Sequence, residues 1–192
     1  MSDTIRCRCG QTELSLTGAP ILSCECACKS CGEAAALFAG LRDGADPRGP
    51  LGTTHFVLYR KDRVRCLAGA ATMAEHRLTP RSGTRRVVAT CCNTPVFLEL
   101  EGGHWLSLYA GMWPDGARPA AQMRTMASDL PPGQSLPADL PNSRRQSLKF
   151  MWRLATAWAA MGFRAPALDY VGGGTLRARL SGPADLAQVR RS

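Results

Sequence analysis

The sequence predicts a mainly β fold, antiparallel in its first part, followed by a C-terminal extension with one amphipathic helix. Three observations indicate this class. Short strand-like segments separated by turn residues fill the first 112 residues. Cysteines stand at the corners between these segments and are absent from the remaining 80 residues, which contain one helical pattern. We therefore divide the chain into a β domain, residues 1–112, and an extension, residues 113–192.

Six segments of the β domain have the length and alternation of strands. They are residues 13–16, 55–59, 64–67, 84–90, 96–100 and 105–109. Turn residues such as Gly18-Ala19-Pro20, Arg60-Lys61-Asp62 and Gly102-Gly103 separate neighbouring segments. Residues 42–52 contain three glycines and two prolines and are predicted to be a loop, which follows an apolar run at residues 34–41.

The extension begins with a proline-rich stretch, residues 113–142, that we expect to be an irregular linker. Ser143 and Gln146 match a capping box and Gly162 can end a helix, so the pattern predicts a helix from about residue 144 to 161. Apolar residues three and four positions apart should form its buried face, packed on the β domain. These residues are Leu148, Met151, Leu154, Trp158 and Met161. A last short strand is predicted at residues 175–180.

Charge and cysteine count limit the class of protein. The nine cysteines are odd in number, and the first residues show no charged-then-apolar signal peptide. No stretch is long and apolar enough to span a bilayer. We therefore expect a cytoplasmic protein with reduced thiols and no membrane contact. The net charge of +9 is spread over single arginines, which gives only weak support to nucleic-acid binding.

Four thiols lie within eight residues, at Cys24, Cys26, Cys28 and Cys31. Gaps of one residue oppose the Cα separation and dihedral angle that a disulfide needs, whereas Zn²⁺ accepts thiolates at about 2.3 Å in a tetrahedron. The last three form C-x-C-x-x-C and supply three ligands from one turn, which leaves a fourth position for water or substrate. Cys24 lies outside this pattern. It is the alternative fourth ligand, which would close the site if it turned inward.

Two further cysteine pairs stand at predicted corners. Cys7 and Cys9 form C-x-C before Gly10, and Cys91 and Cys92 open the turn C-C-N-T-P. Strand ends can bring such distant corners together, and the two pairs would supply the four thiolates of a closed structural zinc site. Cys91 joins Cys92 on one metal only if the backbone turns there, because neighbouring strand residues point to opposite faces. We expect one or two Zn²⁺ per chain, since the gaps do not match common ferredoxin spacings.

Three linked motifs resemble the glutathione-dependent formaldehyde-activating enzyme family, which includes centromere protein V-like proteins. The motifs are C-x-C-G at residues 7–10, C-x-C-x-x-C at residues 26–31 and C-N-T-P-V-F at residues 92–97. The resemblance covers about residues 5–112. It implies a zinc-binding β-tent fold, a structural zinc on the first and last cysteine groups, and a second zinc on the middle group. It also implies carbon–sulfur lyase chemistry, the reversible addition of the glutathione thiol to an aldehyde.

The sequence departs from the family pattern at three places. The family usually ends in C-x-x-C, whereas here Ala89 takes the first position and the extra thiol, Cys91, is adjacent to Cys92. Gly32-Glu33 replaces a basic pair of the family, and Cys24 is an added thiol.

The leading hypothesis is a zinc-dependent carbon–sulfur lyase that acts on a small-molecule thiol–aldehyde adduct. Cys26, Cys28 and Cys31 are then metal ligands rather than nucleophiles. Three thiolates leave a zinc site with one negative charge, and Lys29, inside the same turn, is the candidate to offset that charge and to contact substrate.

The alternative is a non-catalytic, zinc-stabilised binding module. One face of the predicted helix carries Arg145, Lys149 and Arg153, which could contact an anionic partner such as nucleic acid. Coordination separates the two hypotheses. An open three-thiolate site favours the enzyme, and two closed four-thiolate sites favour the binding module.

Overall fold

A computed structural model describes residues 2–176 of the chain. The described residues contain ten strands and two α-helices, so the predicted mainly β class is confirmed. The strands are β1 (Ser2–Arg6), β2 (Glu13–Thr17), β3 (Leu22–Cys26), β4 (Thr54–Arg60), β5 (Val64–Ala68), β6 (Met73–His76), β7 (Thr84–Ala89), β8 (Thr94–Leu100), β9 (Trp105–Tyr109) and β10 (Arg124–Thr125). The helices are α1 (Lys29–Ala39) and α2 (Leu148–Ala159). No helix of the described part is long and apolar enough to cross a membrane.

The strands form two sheets. A three-stranded sheet has the order β1-β2-β5, and a seven-stranded sheet has the order β10-β3-β4-β9-β8-β7-β6. All strand pairs are antiparallel except β10 with β3. All six predicted strand segments are confirmed, with ends that differ by one or two residues.

The seven-stranded sheet is covered on both faces. Successive side chains of its strands point to opposite faces and into two separate cores. In β4, Phe56 and Leu58 point into one core with residues of α1 and α2. Val57 and Tyr59 point into the other core, with residues of the three-stranded sheet. A strand buried on both faces has a continuous apolar sequence rather than an alternating one, which explains the run at β4.

Helix α1 begins within the dense cysteine run. The sequence analysis described residues 34–41 only as apolar, although their alanines are strong helix formers. Cys28 is the N-cap, and its carbonyl accepts hydrogen bonds from the Cys31 and Gly32 N–H groups at 3.0 and 3.1 Å. The helix buries Ala34, Ala35 and Phe38 against the sheet. This packing fixes the turn that carries the last two cysteines of the run.

Helix α2 is present but begins later than predicted. Its N-cap is Ser147, whose Oγ accepts a hydrogen bond from the Phe150 N–H at 3.2 Å. Ser143, the predicted cap, instead donates its N–H to the Arg124 carbonyl at 2.9 Å. The segment before the helix is therefore held in extended form beside β10. Gly162 follows the helix with a φ of 62°, as expected for its predicted role.

The buried face of α2 also differs from the prediction. Phe150 and Leu154 are buried within the helix, and Met161 is buried just after it. Leu148 is 90% exposed, and Met151 and Trp158 are also exposed, so the prediction was wrong for these three residues. The helix contains more large apolar residues than one face can bury, and the extended segment before it selects the side that faces the sheet.

The first part of the extension supplies the edge strand β10, which lies beside β3. Strand β10 pairs with β3, and the buried Arg124 side chain forms ion pairs at 2.7 Å with Glu25 of β3 and with Asp139. Thr175 makes a single bridge with Glu75. The rest of the strand predicted at residues 175–180 lies outside the described residues.

Candidate metal centres

All nine cysteines are free thiols, and seven of them form two groups. In the first group, which we call the four-thiol group, the Sγ atoms of Cys7, Cys9, Cys91 and Cys92 all lie within 4.8 Å of one another. Neighbouring sulfurs are 3.6, 3.7 and 3.9 Å apart. Sulfurs bound at about 2.3 Å to one tetrahedral Zn²⁺ are separated by about 3.8 Å. The spacing therefore fits a single tetrahedral metal ion, and it is far longer than a disulfide bond.

A tight turn between β1 and β2 brings Cys7 and Cys9 together. The Gly10 N–H donates to the Cys7 carbonyl at 2.9 Å. Gly10 has a φ of 79°, in the left-handed region that glycine adopts readily. The C-x-C-G motif thus builds a corner with two thiols on one side.

The other half of the four-thiol group lies in the turn between β7 and β8. The Cys92 N–H donates to the Ala89 carbonyl at 3.3 Å, and Asn93 has a left-handed φ of 52°. The backbone therefore turns at Cys91 and Cys92, which is the condition under which both can join one metal. The structure places Cys91 in this group and not with the middle cysteines.

Two threonines, Thr12 and Thr94, form hydrogen bonds with these sulfurs. The Thr12 N–H donates to Cys7 Sγ at 3.3 Å, and the Thr94 hydroxyl lies 3.0 Å from Cys92 Sγ. Burial raises the pKa of Cys7, but hydrogen bonds from the Thr12 N–H and the neighbouring thiols outweigh burial and lower the pKa to about 7. Sequence reasoning missed these threonines, although each lies within five residues of the cysteine that it contacts.

The four-thiol group connects the two sheets. Strands β1 and β2 belong to the three-stranded sheet, and β7 and β8 belong to the seven-stranded sheet. A metal bound here would join both sheets at one end, so the position is that of a structural site.

The second group, which we call the three-thiol group, contains Cys26, Cys28 and Cys31, whose Sγ atoms also lie within 4.8 Å of one another. Cys26 ends β3, Cys28 is the N-cap of α1, and Cys31 lies in its first turn. Cys31 and Cys26 are separated by 3.7 Å between sulfurs, again the spacing of two ligands on one tetrahedral ion. Within residues 2–176, no further cysteine, histidine or carboxylate joins the three.

Cys24, the alternative fourth ligand, lies in the core. It is 3% exposed, pairs across the sheet with Phe56 and packs among apolar side chains. Burial raises the pKa of the Cys24 thiol far above its usual range, so the thiol stays neutral. Cys24 therefore does not complete the three-thiol group in this structure.

The thiols of the second group share hydrogen bonds that favour one thiolate. Hydrogen bonds from Cys26 and Cys31 hold the pKa of Cys28 far below its usual range. The Ser30 hydroxyl also lies 3.3 Å from Cys28 Sγ. Cys28 is half-buried, whereas Cys31 is buried, so Cys28 is the more accessible ligand of these two.

Lys29, the predicted substrate contact, lies at the first turn of α1 with an exposed side chain. Its backbone N–H donates to the Asp129 carboxylate at 3.2 Å, and its ammonium forms no ion pair within the described range. A second cation near this group was missed by the sequence analysis. Arg86 of β7 is 1% exposed and donates from Nη2 to the Ser30 carbonyl at 3.0 Å.

Comparisons with known proteins identify no family. No model of a known protein family matches the sequence, and no curated protein matches it. Among solved structures, the chain is similar to the crystal structure of a Rhodobacter sphaeroides protein from a structural-genomics programme. The two are 14% identical, with a TM-score of 0.43 over 61% of this chain and 92% of that chain.

Proposed function

We propose that the protein is a zinc-dependent carbon–sulfur lyase that acts on a thiol–aldehyde adduct. One observation carries this proposal. The three-thiol group offers three ligands and has no fourth protein ligand among the described residues. Three protein ligands with one free position are typical of catalytic zinc, whereas four are typical of structural zinc.

The donor set favours zinc over other metals. Both groups consist of thiols alone, and soft thiolates in a tetrahedron select Zn²⁺ or iron–sulfur clusters. The gaps between the cysteines do not match common ferredoxin spacings. Zinc held by three thiolates supplies Lewis-acid chemistry to a ligand that enters the free position.

The proposed substrate class comes from the resemblance of the three cysteine motifs to the glutathione-dependent formaldehyde-activating family. In the proposed reaction the thiol S–H adds across the aldehyde C=O bond. The S–C bond forms, the π bond of the carbonyl breaks, and the thiol proton ends on oxygen. The reverse reaction cleaves the C–S bond, and neither direction needs an oxidant or a reductant.

The residues of the site have separate proposed roles. Cys26, Cys28 and Cys31 would hold the metal beside the first turn of α1, where it would supply Lewis-acid chemistry. Lys29 contacts an anionic part of the thiol substrate, because its ammonium is exposed and unpaired within residues 2–176. The same surface includes the N-terminal end of α1, where backbone dipoles favour negative charge.

The alternative hypothesis of an anion-binding helix face receives less support. Arg145 precedes α2 and therefore does not lie on the helix. Arg153 donates to the Ile21 carbonyl at 3.1 Å and to the Gln122 side chain at 3.0 Å, so its guanidinium is used within the protein. Of the three predicted cations, only Lys149 both lies on α2 and has a charge that is not used in the Arg153 contacts.

Exchange spectroscopy of ¹³C-labelled formaldehyde with glutathione tests the proposal. The addition occurs without a catalyst, so the readout is the rate at which free aldehyde and adduct exchange. We expect the wild-type zinc protein to raise this rate and Cys28→Ser to abolish the increase. Cys66→Ser is the matched control, because Cys66 belongs to neither thiol group. Equal exchange rates with and without wild-type protein would contradict the lyase activity.

A further inference from the structure

Two neighbouring arginines of β7 have opposite surroundings. Arg85 forms ion pairs with Glu75 at 2.9 Å and with Glu99 at 2.5 Å. Arg86 points to the other face, where α1 packs, and is the largest side chain under 2% exposed in the described part. Consecutive strand residues alternate between faces, so only one of the two can reach the three-thiol group.

Arg86 is a buried cation without a carboxylate partner. No Asp or Glu oxygen lies within 4.0 Å of its guanidinium within residues 2–176. Nη2 donates to the Ser30 carbonyl, but Nε and Nη1 are buried and have no hydrogen-bond partner among the described residues. An unpaired charge inside a protein is strongly unfavourable. The Arg86 guanidinium therefore needs a nearby negative charge, and the carboxylates of residues 2–176 do not supply one.

The three-thiol group adjoins the residue that Arg86 contacts and can supply such a charge. Ser30, whose carbonyl accepts from Arg86, lies in the turn between Cys28 and Cys31, and its hydroxyl is 3.3 Å from Cys28 Sγ. Burial raises the pKa of the Tyr109 phenol, the charge of Arg86 and a hydrogen bond with it lower that pKa, and the charges of Cys31 and Cys28 raise it. One phenol is therefore within electrostatic reach of both the guanidinium and the thiols.

A further polar neighbour of Arg86, the His76 ring, is not an anion. His76 lies directly opposite Arg86 in the pairing of β6 with β7. Burial and the Arg86 charge both hold the pKa of His76 below its usual value, so the ring is neutral near pH 7. Its Nε2 atom is also buried and has no hydrogen-bond partner in the part of the chain that the structure describes.

Charge balance then distinguishes the kinds of metal site. A Zn²⁺ ion held by three thiolates has one net negative charge, which a single guanidinium neutralises. A site with four thiolates would have two negative charges and would remain half compensated. Arg86 thus matches a three-thiolate centre whose fourth ligand is neutral.

We propose that Arg86 is the counter-ion of the three-thiol metal centre and a positioning residue that stabilises its three-thiolate form. The inference rests on the part of the proposed function that places a metal on Cys26, Cys28 and Cys31. It does not depend on lyase activity. The four-thiol group lies at the opposite face of β7 from Arg86 and should not depend on this residue.

Zinc affinity of the second site tests the inference. Reduced apoprotein is titrated with zinc in competition with a chromophoric chelator, and Cys28→Ser protein defines the contribution of the four-thiol group. We expect Arg86→Gln to weaken the second site by at least about tenfold, in the range of other residues that support metal ligands. Arg86→Lys, which keeps the charge, should retain most of the affinity. Arg85→Gln is the matched control, and both sites should keep their affinity in it.

The outcomes separate this inference from the proposed function. If the wild type binds no second zinc, both are wrong. If the wild type binds two and Arg86→Gln binds the second equally well, only the role of Arg86 is wrong. A purely structural role through the Ser30 hydrogen bond predicts that Gln and Lys, which both keep N–H donors, preserve affinity to the same extent.

A second background keeps the test decisive if Arg86→Gln fails to fold as the full metalloprotein. Cys28→Ser/Cys31→Ser protein keeps only Cys26 of the three thiols and cannot form the three-thiolate centre, so the Arg86 charge loses its proposed counter-ion. In this double variant Arg86→Gln should raise the urea midpoint, whereas in the zinc-loaded protein with all three thiols Arg86→Gln should lower it. A loss of stability in both backgrounds would overturn the proposal.

Discussion

The Sγ atoms of Cys7 and Cys91 lie 3.7 Å apart although 84 residues separate them in the chain. This contact joins a corner of the three-stranded sheet to a corner of the seven-stranded sheet. A metal that binds four such thiols only in the folded chain adds its binding free energy to folding. The four-thiol group should therefore govern stability, and the three-thiol group should govern activity.

Cys9→Ser tests the structural role. Cys9 is exposed, so the substitution removes no buried apolar surface. We expect loss of one zinc and a large loss of stability, because structural zinc contributes on the order of 10 kcal/mol to folding in zinc-finger peptides. Urea denaturation followed by circular dichroism measures the effect. Cys66→Ser is the control, and a Cys9→Ser midpoint equal to that of this control would contradict the structural role.

Cys28→Ser tests the division between the two groups. Serine is a favoured N-cap residue, so α1 should keep its start at this position. The variant should remain folded with the four-thiol group loaded, and it should lose the second zinc. Metal analysis and circular dichroism check both parts. Cys24→Ala is the matched control, since Cys24 lies in the core and should leave both sites loaded. Unfolding of Cys28→Ser to the same extent as Cys9→Ser would argue against separate roles.

Leucines on α2 test which face of the helix is buried. Leu154 is 4% exposed, and Leu154→Ala should lower the free energy of unfolding by about 2–5 kcal/mol because it leaves a cavity. Leu148 is 90% exposed, and Leu148→Ala should change stability by less than about 0.5 kcal/mol. Both are measured by urea denaturation at saturating zinc. Equal losses of unfolding free energy in the two variants would instead support the buried face that was predicted from periodicity.

The half-buried His76 predicts a pH dependence. Its pKa is lowered in the folded protein, so the unfolded chain binds more protons once the pH falls below the unfolded value of about 6.5. The contribution of neutral His76 is therefore complete above this value and is lost as the pH decreases through it. We expect His76→Gln to lose less stability than the wild type between about pH 7.5 and 5.5 at saturating zinc. Parallel losses in the two proteins would rule out His76 as a source of the pH dependence.

Sequence reasoning succeeded where chemistry is local. The spacing of Cys26, Cys28 and Cys31 restricts them to one turn, and all three sulfurs lie together as predicted. The C-x-C-G corner is equally local, because Gly10 supplies the left-handed residue that the turn needs. The strand segments could be predicted from their length and apolar pattern, which the structure explains by two cores on either side of the larger sheet.

Other features depended on contacts that no local pattern contains. The sequence placed Cys91 with Cys7, Cys9 and Cys92 only on the condition that the backbone turns there, and the left-handed Asn93 lies in that turn. The α2 face was chosen by the extended segment that pairs Ser143 with Arg124. Arg85 and Arg86 are identical in type and adjacent, so the sequence does not indicate which guanidinium turns toward the thiols.

Zinc content of the wild-type protein tests the central claim most directly. Reduced protein, purified without chelators, is analysed for metal and for protein concentration in the same sample. Two thiol groups with tetrahedral spacing predict about two zinc ions per chain. A ratio near zero would contradict the account of both centres, and a ratio of about one would contradict the three-thiol centre on which the proposed activity depends.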